Sequence, residues 1–421
     1  MPDTDPSTVV IGAGAAGLVA AIFAARAGGA VEVVEKTRRG GKKIVVSGGG
    51  RCNVLPSEVD VARFVTDSSP RTLARILRSW PLEDQRRFFE DDLGLPLALE
   101  PETGKLFPES NRATDVRDAL VEAARRAGAQ FRFDTAVESM EPVEGGRWRL
   151  ALSDGATLAP RTVVVATGGL SVPKTGSDGF GLREARRLGH RMHPTYPALT
   201  PLTATPAVHA SLSGISLTAR LRAPQKKSPL ETEGGFLFTH RGYSGPSVLD
   251  LSHLTTLART RGRSQPVLAQ WDEWDEGAWD AAFRAPGAGT AGALVRQRLP
   301  TRLADLLMDE AGVSPDVPRA ELPKADRRRL VEALAAYPLP WTGDEGYKKA
   351  EVTGGGVALG EVDPKTMESR RQPGLFFCGE VLDAFGPIGG YNFLWAWATG
   401  RLAGLGAATA PPTASTPEAR G

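Results

Sequence analysis

The sequence is poor in cysteine and histidine and almost without net charge, and each scarcity closes off a class of function. Its 421 residues include two cysteines, Cys52 and Cys378, far apart in the chain. Neither belongs to a C-x-x-C pair, so a zinc ribbon and a thioredoxin-type dithiol are excluded. Such sparing use of cysteine fits a reducing compartment, and the expectation is a cytoplasmic protein. Of the five histidines only His190 and His193 stand close together, and with no acidic or cysteine neighbour they make no metal site. Lys and Arg number 51 against 49 Asp and Glu, a net charge of +2, which is not the footprint of a dedicated nucleic-acid binder. The acidic amino terminus lacks the basic n-region of a signal peptide. One uncharged run, residues 6–25, is about long enough to cross a bilayer. Its β-branched start, glycine turn and alanine-rich continuation read instead as strand, turn and helix, so no membrane partner is expected.

Glycine is plentiful: 48 of 421 residues, about 11% against a usual ~7%, and the excess is clustered. Val9 to Ile11 reads as a strand, Gly12-Ala13-Gly14-Ala15-Ala16-Gly17 as a turn, Leu18 to Ala27 as a helix, and Val31 to Val34 as a second strand ending at Glu35. In such a βαβ unit Gly12 permits the tight turn, Gly14 the approach of a pyrophosphate, and Gly17 close packing of helix on strand. The helix N-terminus favours the diphosphate. An acid about 20 residues beyond the turn suits ribose hydroxyls and argues against a 2′-phosphate, so Glu35 is the expected ribose ligand.

A second tract, Gly48-Gly49-Gly50 followed by Arg51, Cys52 and Asn53, would let backbone run flush against a flat ring. Ile44, Val45 and Val46 beside it argue against a flexible surface loop. Ala166-Thr167-Gly168-Gly169 ends the strand TVVVA, where an adenosine lies in two-dinucleotide-type flavoproteins. Gly379-Glu380 ends the last strand, with Glu380 placed to accept from ribityl hydroxyls. Gly389, Gly390, Tyr391 and Asn392 then open a final helix whose N-terminus would stabilise negative charge on a flavin. The stretch 168–175 resembles a P-loop but carries Pro173 where an N–H is needed, which excludes triphosphate hydrolysis.

Between these motifs the pattern predicts helices at 70–92 and 114–128 and a β-meander over 130–165. Prolines 194, 197, 201 and 206 punctuate β-prone pieces up to about 250. Residues 266–338 are richer in Ala, Arg, Leu and acids, with 290–336 helical. A buried strand follows at 374–380, a long helix at 389–408 and a disordered tail at 410–421.

Together GAGAAG, SGGGRCN, ATGG with SVPKTGSDGFG, FTHRGYSGP, VTGGGV and CGEVLDAFGPIGGYNFLWAWATG resemble the BaiN/YhiN-type flavoproteins, from residue 9 to residue 404. The resemblance implies an α/β, Rossmann-like FAD-binding domain of two-dinucleotide type, interrupted by a β-barrel-like insertion and a small helical subdomain. The change of character along the chain places these at 1–189 with 350–409, at 190–265 with 339–349, and at 266–338. It implies non-covalent FAD held by Gly12, Gly14, Ala16, Glu35, Lys36, Lys42, Ser47, Arg51, the ATGG strand end, Glu380 and the GGYN turn. Family members are linked to amine oxidation, to reduction of conjugated steroid double bonds and to reduction of uridine in ribosomal RNA.

The leading expectation is an FAD-dependent oxidoreductase passing hydride through flavin N5 to or from a small organic molecule. With no second G-x-G-x-x-G, NAD(P)H would enter only as a transient co-substrate. His240, in THRGYSGP, is the acid/base candidate because imidazole titrates near neutrality, and it reads equally well as a turn cap. Tyr243 and Ser244 are secondary candidates, and Cys52 is a candidate thiol. The basic run 324–329 favours an alternative partner, structured RNA. Further alternatives are an amine oxidase using oxygen and an FAD-binding module without turnover.

Overall fold

Val9, Val10 and Ile11 are β-branched and buried, and they form the middle of a parallel sheet. In the computed structural model, which describes residues 6–226 and 228–410, strand β1 (Thr8–Ile11) leads into helix α1 (Ala15–Arg26) and strand β2 (Val31–Val34). A short helix α2 (Lys42–Val46) follows, then β3 (Gln130–Arg132), β4 (Thr162–Val165), β5 (Val352–Val357), β6 (Leu375–Phe377) and the final helix α3 (Tyr391–Thr409). The sheet order is β6-β4-β1-β2-β3, all parallel, with Thr8 level with both Thr162 and Val31. Strands covered on both faces read as unbroken apolar runs, as TVVI, TVVV and LFF do. The exception is Glu32 of β2, whose carboxylate accepts from Arg132 of β3 at 2.7 Å. The architecture is a Rossmann-like α/β fold, a parallel sheet with added antiparallel sheets.

The uncharged run at 6–25 is strand, turn and helix, and no helix among the described residues is long and apolar enough to cross a membrane. The meander expected over 130–165 is narrower than its sequence suggests. Its two ends belong to the parallel sheet, and its arms are Val137–Val143, Arg147–Leu152 and Thr157–Leu158. The first arm hides in the sequence because Glu138, Glu141 and Pro142 interrupt it and only Val137 and Met140 are buried.

Helices α1 and α3 pack backbone against backbone. A Cβ on Gly400 would lie 2.4 Å from the Ala16 carbonyl oxygen, and one on Gly404 would lie 2.3 Å from that of Ala20. Both helices are buried almost all round, so neither shows a single apolar stripe. Trp395 and Trp397 fill core on different sides of α3, and their indole N–H groups donate to the carbonyls of Gly379 (3.1 Å) and Val54 (3.0 Å).

The chain divides into two units, Met1–Thr195 with Val352–Gly421, and Tyr196–Glu351. Residues 411–421, where a tail was expected, lie outside the described residues. The second unit holds a seven-stranded antiparallel sheet whose two edge strands are Tyr337–Pro338 and Gly343–Asp344. Only residues 339–342 join those edges, a reach of at most ~18 Å, so the sheet must curl towards closure. The helices Glu276–Arg284, Ala291–Arg298, Thr301–Glu310 and Lys324–Ala335 belong to this same unit and share its core through Trp279, Leu303, Leu307 and Leu330. A fifteen-residue helix, Pro246–Thr260, stands within the stretch 190–265 that was expected to be β-rich; Pro at its first position starts it, and its Ser and Thr side chains masked it.

Adding one methyl group at Gly400 is expected to destabilise the protein by about 2 kcal/mol or more, because the neighbour is backbone and cannot yield. Gly360→Ala is the control: it meets nothing within 4 Å among the described residues, and its melting temperature should stay at the wild-type value. Equal melting of the two variants would show that α1 and α3 are not in backbone contact. In the second unit, burial lowers the buried His253 imidazole from 6.5 to about 4. The native state therefore binds fewer protons than the unfolded state between those two values, and stability is lost as pH falls from about 6.5 to about 4. Over that window the loss approaches about 3 kcal/mol. Denaturation midpoints measured at pH 7 and pH 4.5 should show a smaller drop for His253→Gln than for wild type.

Candidate cofactor site

The three glycines of the first turn are glycine for different physical reasons. Gly12 has φ +101°, and a Cβ there would lie 2.7 Å from the Ala166 carbonyl oxygen. A Cβ on Gly17 would sit 1.9 Å from the Gly12 carbonyl oxygen, so helix and turn touch there. Gly14 has φ −81°, open to any residue, and a Cβ there meets nothing within 4 Å among the described residues. Neither backbone nor packing demands glycine at that position, so the space beside it is free for a ligand. It faces the start of α1, which has no side-chain cap and no acid in its first turn. A helix start of this kind offers N–H groups and a partial positive charge to an anion, which suits a diphosphate. Ala15 and Ala16 follow directly in that first turn.

Glu35 is buried beside the turn. Its Oε2 accepts from the Ala13 N–H and its Oε1 from the Thr37 N–H, both at 2.8 Å. Each oxygen keeps acceptor capacity for a hydroxyl. Lys36 turns to Asp178 at 2.7 Å. The ATGG strand end lies against β1: the Ala166 N–H donates to Ile11, and Thr167 Oγ1 accepts from the Gly181 N–H at 3.2 Å. A Cβ on Gly168 would lie 3.0 Å from Ser177 Oγ.

The second glycine tract begins with α2, and Ser47 Oγ donates back to the Ile44 carbonyl at 2.7 Å. Gly48 and Gly49 are left-handed, and a Cβ on Gly49 or Gly50 would meet nothing within 4 Å among the described residues. Gly48 closes on Asn53, whose Oδ1 is buried without a hydrogen-bond partner among the described residues. Arg51 pairs with Glu100 at 2.9 Å and lies 4.0 Å over the Phe107 ring. Cys52 corrects an expectation. It is fully buried, and burial pushes its thiol up to about 12, so near neutrality it is an uncharged core group rather than a nucleophile.

At the far end of the sheet, a Cβ on Gly379 would lie 2.8 Å from the Ala16 side chain, which brings the end of β6 onto the first turn of α1. Gly390 caps α3 at φ +96°, and a Cβ there would run into Leu55 and Pro56 backbone at 2.5–2.7 Å. Gly389 is also left-handed, against Lys105. Asn392 ties down the preceding loop, its Oδ1 accepting from the Gly386 N–H at 2.9 Å, while the Tyr391 hydroxyl donates to the Glu58 carbonyl at 3.2 Å.

The largest omission of the sequence reading lies around Glu380. Lys42 is exposed, and it is Lys43 that reaches Glu380, Nζ to Oε2 at 2.5 Å. Ser171 and Thr353 complete the cluster. VTGGGV was visible as a motif, but nothing in the sequence said that the Thr353 backbone N–H donates to Glu380. A second omission is Asp383, buried and hydrogen-bonded by the hydroxyls of Thr66 (2.9 Å) and Ser68 (2.7 Å), with His193 Nε2 at 3.6 Å. Burial raises this carboxyl above its usual range, against the hydroxyls of Ser68 and Thr66 and the nearby His193.

His240 and Tyr243 lie in the second unit. His240 is exposed in the turn after the strand ending at Thr239. Tyr243 corrects an expectation: it is fully buried, its hydroxyl is 3.0 Å from His209 Nδ1 and donates to the Pro340 carbonyl, and burial pushes the phenol up. Ser244 follows it in the same short strand. The basic run at 324–329 sits on a helix, where Arg327 pairs with Asp280 (2.8 Å) and Arg329 with Asp326 (3.0 Å).

A model of the HI0933-like protein Rossmann domain matches residues 6–406. The chain is 32% identical over 411 residues to a 3-dehydro-bile acid delta(4,6)-reductase of Clostridium scindens, covering 96% of this chain and 99% of that one. It is 32% identical over 416 residues to a ribosomal RNA dihydrouridine synthase of Escherichia coli, covering 93% and 95%. Among solved structures it is similar in fold to a 3-ketosteroid delta1-dehydrogenase of Sterolibacterium denitrificans, with TM-score 0.52, 14% identity and coverage of 96% and 99%.

Gly14→Ala separates ligand space from packing. The variant should melt like wild type as apoprotein, since the added methyl meets nothing, and should bind FAD at least tenfold more weakly. Titration of apoprotein with FAD, followed by flavin fluorescence, measures this. Unchanged affinity would remove the diphosphate from the start of α1.

Proposed function

The chain belongs to the HI0933-like Rossmann FAD-binding family and is a flavin-dependent oxidoreductase, and from that premise we propose that it reduces a carbon–carbon double bond conjugated to a carbonyl group. The supporting observation is the near full-length likeness to two relatives whose names share one chemistry. A delta(4,6)-reductase of a 3-oxo bile acid and a dihydrouridine synthase both saturate a C=C bond polarised by a carbonyl. Bound FAD supplies hydride transfer through its N5 position.

The residues of this chain bind and orient. The start of α1 takes the diphosphate, Glu35 the ribose hydroxyls and Glu380 the polyol. The start of α3, without an acid in its first turn, puts a partial positive charge beside the ring. The open backbone of Gly49 and Gly50 supports a flat face. Saturation of a conjugated bond also needs a proton on the carbon next to the carbonyl, and His240 is the proposed donor. NAD(P)H is the proposed transient reductant. A small organic substrate is favoured over structured RNA because Arg327 and Arg329 of the basic run are already paired to acids of the protein.

The test is anaerobic. Holoprotein is mixed with NADH and with NADPH while flavin bleaching is followed, then offered a conjugated cyclic enone, a ribosomal RNA transcript or a panel of amines. One nicotinamide should bleach the flavin, and the enone should restore its colour. Recovery with the transcript alone would transfer the reading to RNA. Bleaching by amines, with none by either nicotinamide, would make the protein an amine oxidase and end this proposal. His240→Gln should lower turnover on the enone by about a hundredfold.

A further inference from the structure

Three segments converge on a carboxylate carried by a fourth. Glu380 Oε1 accepts from Ser171 Oγ at 2.5 Å and from the Thr353 N–H at 3.0 Å. Glu380 Oε2 accepts from Lys43 Nζ at 2.5 Å, and the same ammonium donates to Ser171 Oγ. Thr353 Oγ1 in turn accepts from the N–H groups of Leu170 (2.8 Å) and Ser171 (3.1 Å), which fixes the loop that carries Ser171. Gly169 has no room for a side chain there, since a Cβ would lie 2.4 Å from Thr353 Oγ1. Helix α2, the loop after β4, strand β5 and the segment after β6 are thus tied at one point.

Counting hydrogen-bonding capacity shows what this point can still do. Oε1 is saturated by its two donors, while Oε2 has accepted once and keeps one lone pair. The Lys43 ammonium has donated twice and keeps one N–H. A donor and an acceptor therefore remain side by side on a pair whose side chains are 28% and 17% exposed. The pair has no net charge, so it offers an anion little. A hydroxyl, which donates and accepts at once, matches it, and adjacent hydroxyls of a sugar alcohol match it best.

Resting on the FAD reading above, we propose that Lys43 is a positioning residue: with Ser171 it holds Glu380 as the acceptor for the polyol chain of the cofactor, and it cancels the carboxylate's charge beside the ring. Without Lys43 that carboxylate would stand uncompensated and oppose the added negative charge of the reduced flavin. Without the carboxylate, the ammonium would favour it. The two single substitutions therefore act on the reduction potential in opposite directions, which a merely structural contact would not do.

The experiment measures FAD affinity and the midpoint potential of bound FAD for wild type, Lys43→Met, Lys43→Arg, Glu380→Gln and Ser171→Ala, with apoprotein melting as the control for folding. Lys43→Met should weaken FAD about tenfold, the worth of a hydrogen bond between charged groups, and should lower the potential. Lys43→Arg should recover most of both. Glu380→Gln should weaken FAD and raise the potential. If Lys43→Met fails to fold, Ser171→Ala carries the test, with a smaller loss of affinity and a fall in potential. Wild-type affinity and potential in Lys43→Met, or shifts of one sign in Lys43→Met and Glu380→Gln, would overturn the proposal. Failure of the wild-type protein to bind FAD would instead overturn the reading on which it rests.

Discussion

The start of helix α1 is fixed by what its neighbours lack. Gly17 lies on the Gly12 carbonyl, Gly379 on the Ala16 side chain and Gly400 on the Ala16 backbone, each too close for a further carbon atom. The first turn is therefore held from three sides by contacts that cannot relax without moving main chain. This matters because a helix terminus is a weak and short-ranged electrostatic device, worth ~1 kcal/mol, and acts only where it is aimed. Backbone packing makes the aim permanent. Gly14, alone among the glycines of the motif, faces open space among the described residues.

The charges of the site follow the same logic of prior arrangement. Burying a carboxylate is costly unless hydrogen bonds accompany it. Glu35 meets that condition with two backbone N–H groups, Glu380 with an ammonium, a hydroxyl and an N–H, and Asp383 with two hydroxyls. In the first two cases the partners leave acceptor capacity pointing outward, so the groups that stabilise the carboxylate also orient it. The fold thus holds an uncapped helix terminus without an acid in its first turn and two oriented acceptors before any ligand arrives, and such prior order lowers the ordering cost of binding.

Much of this was legible in the sequence, because glycine at fixed spacing has few physical explanations. The βαβ unit, Glu35, the ATGG strand end and the final helix can each be read from a run of a few residues. What could not be read were pairings across long stretches of chain. Lys42 and Lys43 are adjacent and chemically identical, and only the turn of α2 decides which one reaches Glu380. Asp383 and His193 lie far apart in sequence, and neither stands in a motif that announces a partner. Tyr243 and Cys52 misled for the opposite reason. Their residue types suggest chemistry, but both side chains are fully buried, and burial pushes both groups up. The helix at 246–260 was hidden by Ser and Thr side chains that are poor helix formers alone and acceptable once packed.

The same distinction between residue type and placement bears on substrate. A basic run suggests a phosphate backbone only while its charges are free, because binding strength there comes from released counterions, roughly one per neutralised phosphate. Arg327 and Arg329 are held by Asp280 and Asp326, and Arg329 also donates to the Ala311 carbonyl. The contacts to Asp280 and Ala311 tie the helix at 324–335 to its neighbours, while Asp326 pairs with Arg329 along the same helix, and each contact would have to break before a phosphate could take its place. A long polyanion would meet a surface whose positive charge is partly cancelled by carboxylates that repel it. An uncharged substrate carrying one polarised double bond has no such penalty, and what it needs from the protein is a flat face, a fixed hydride source and one proton donor.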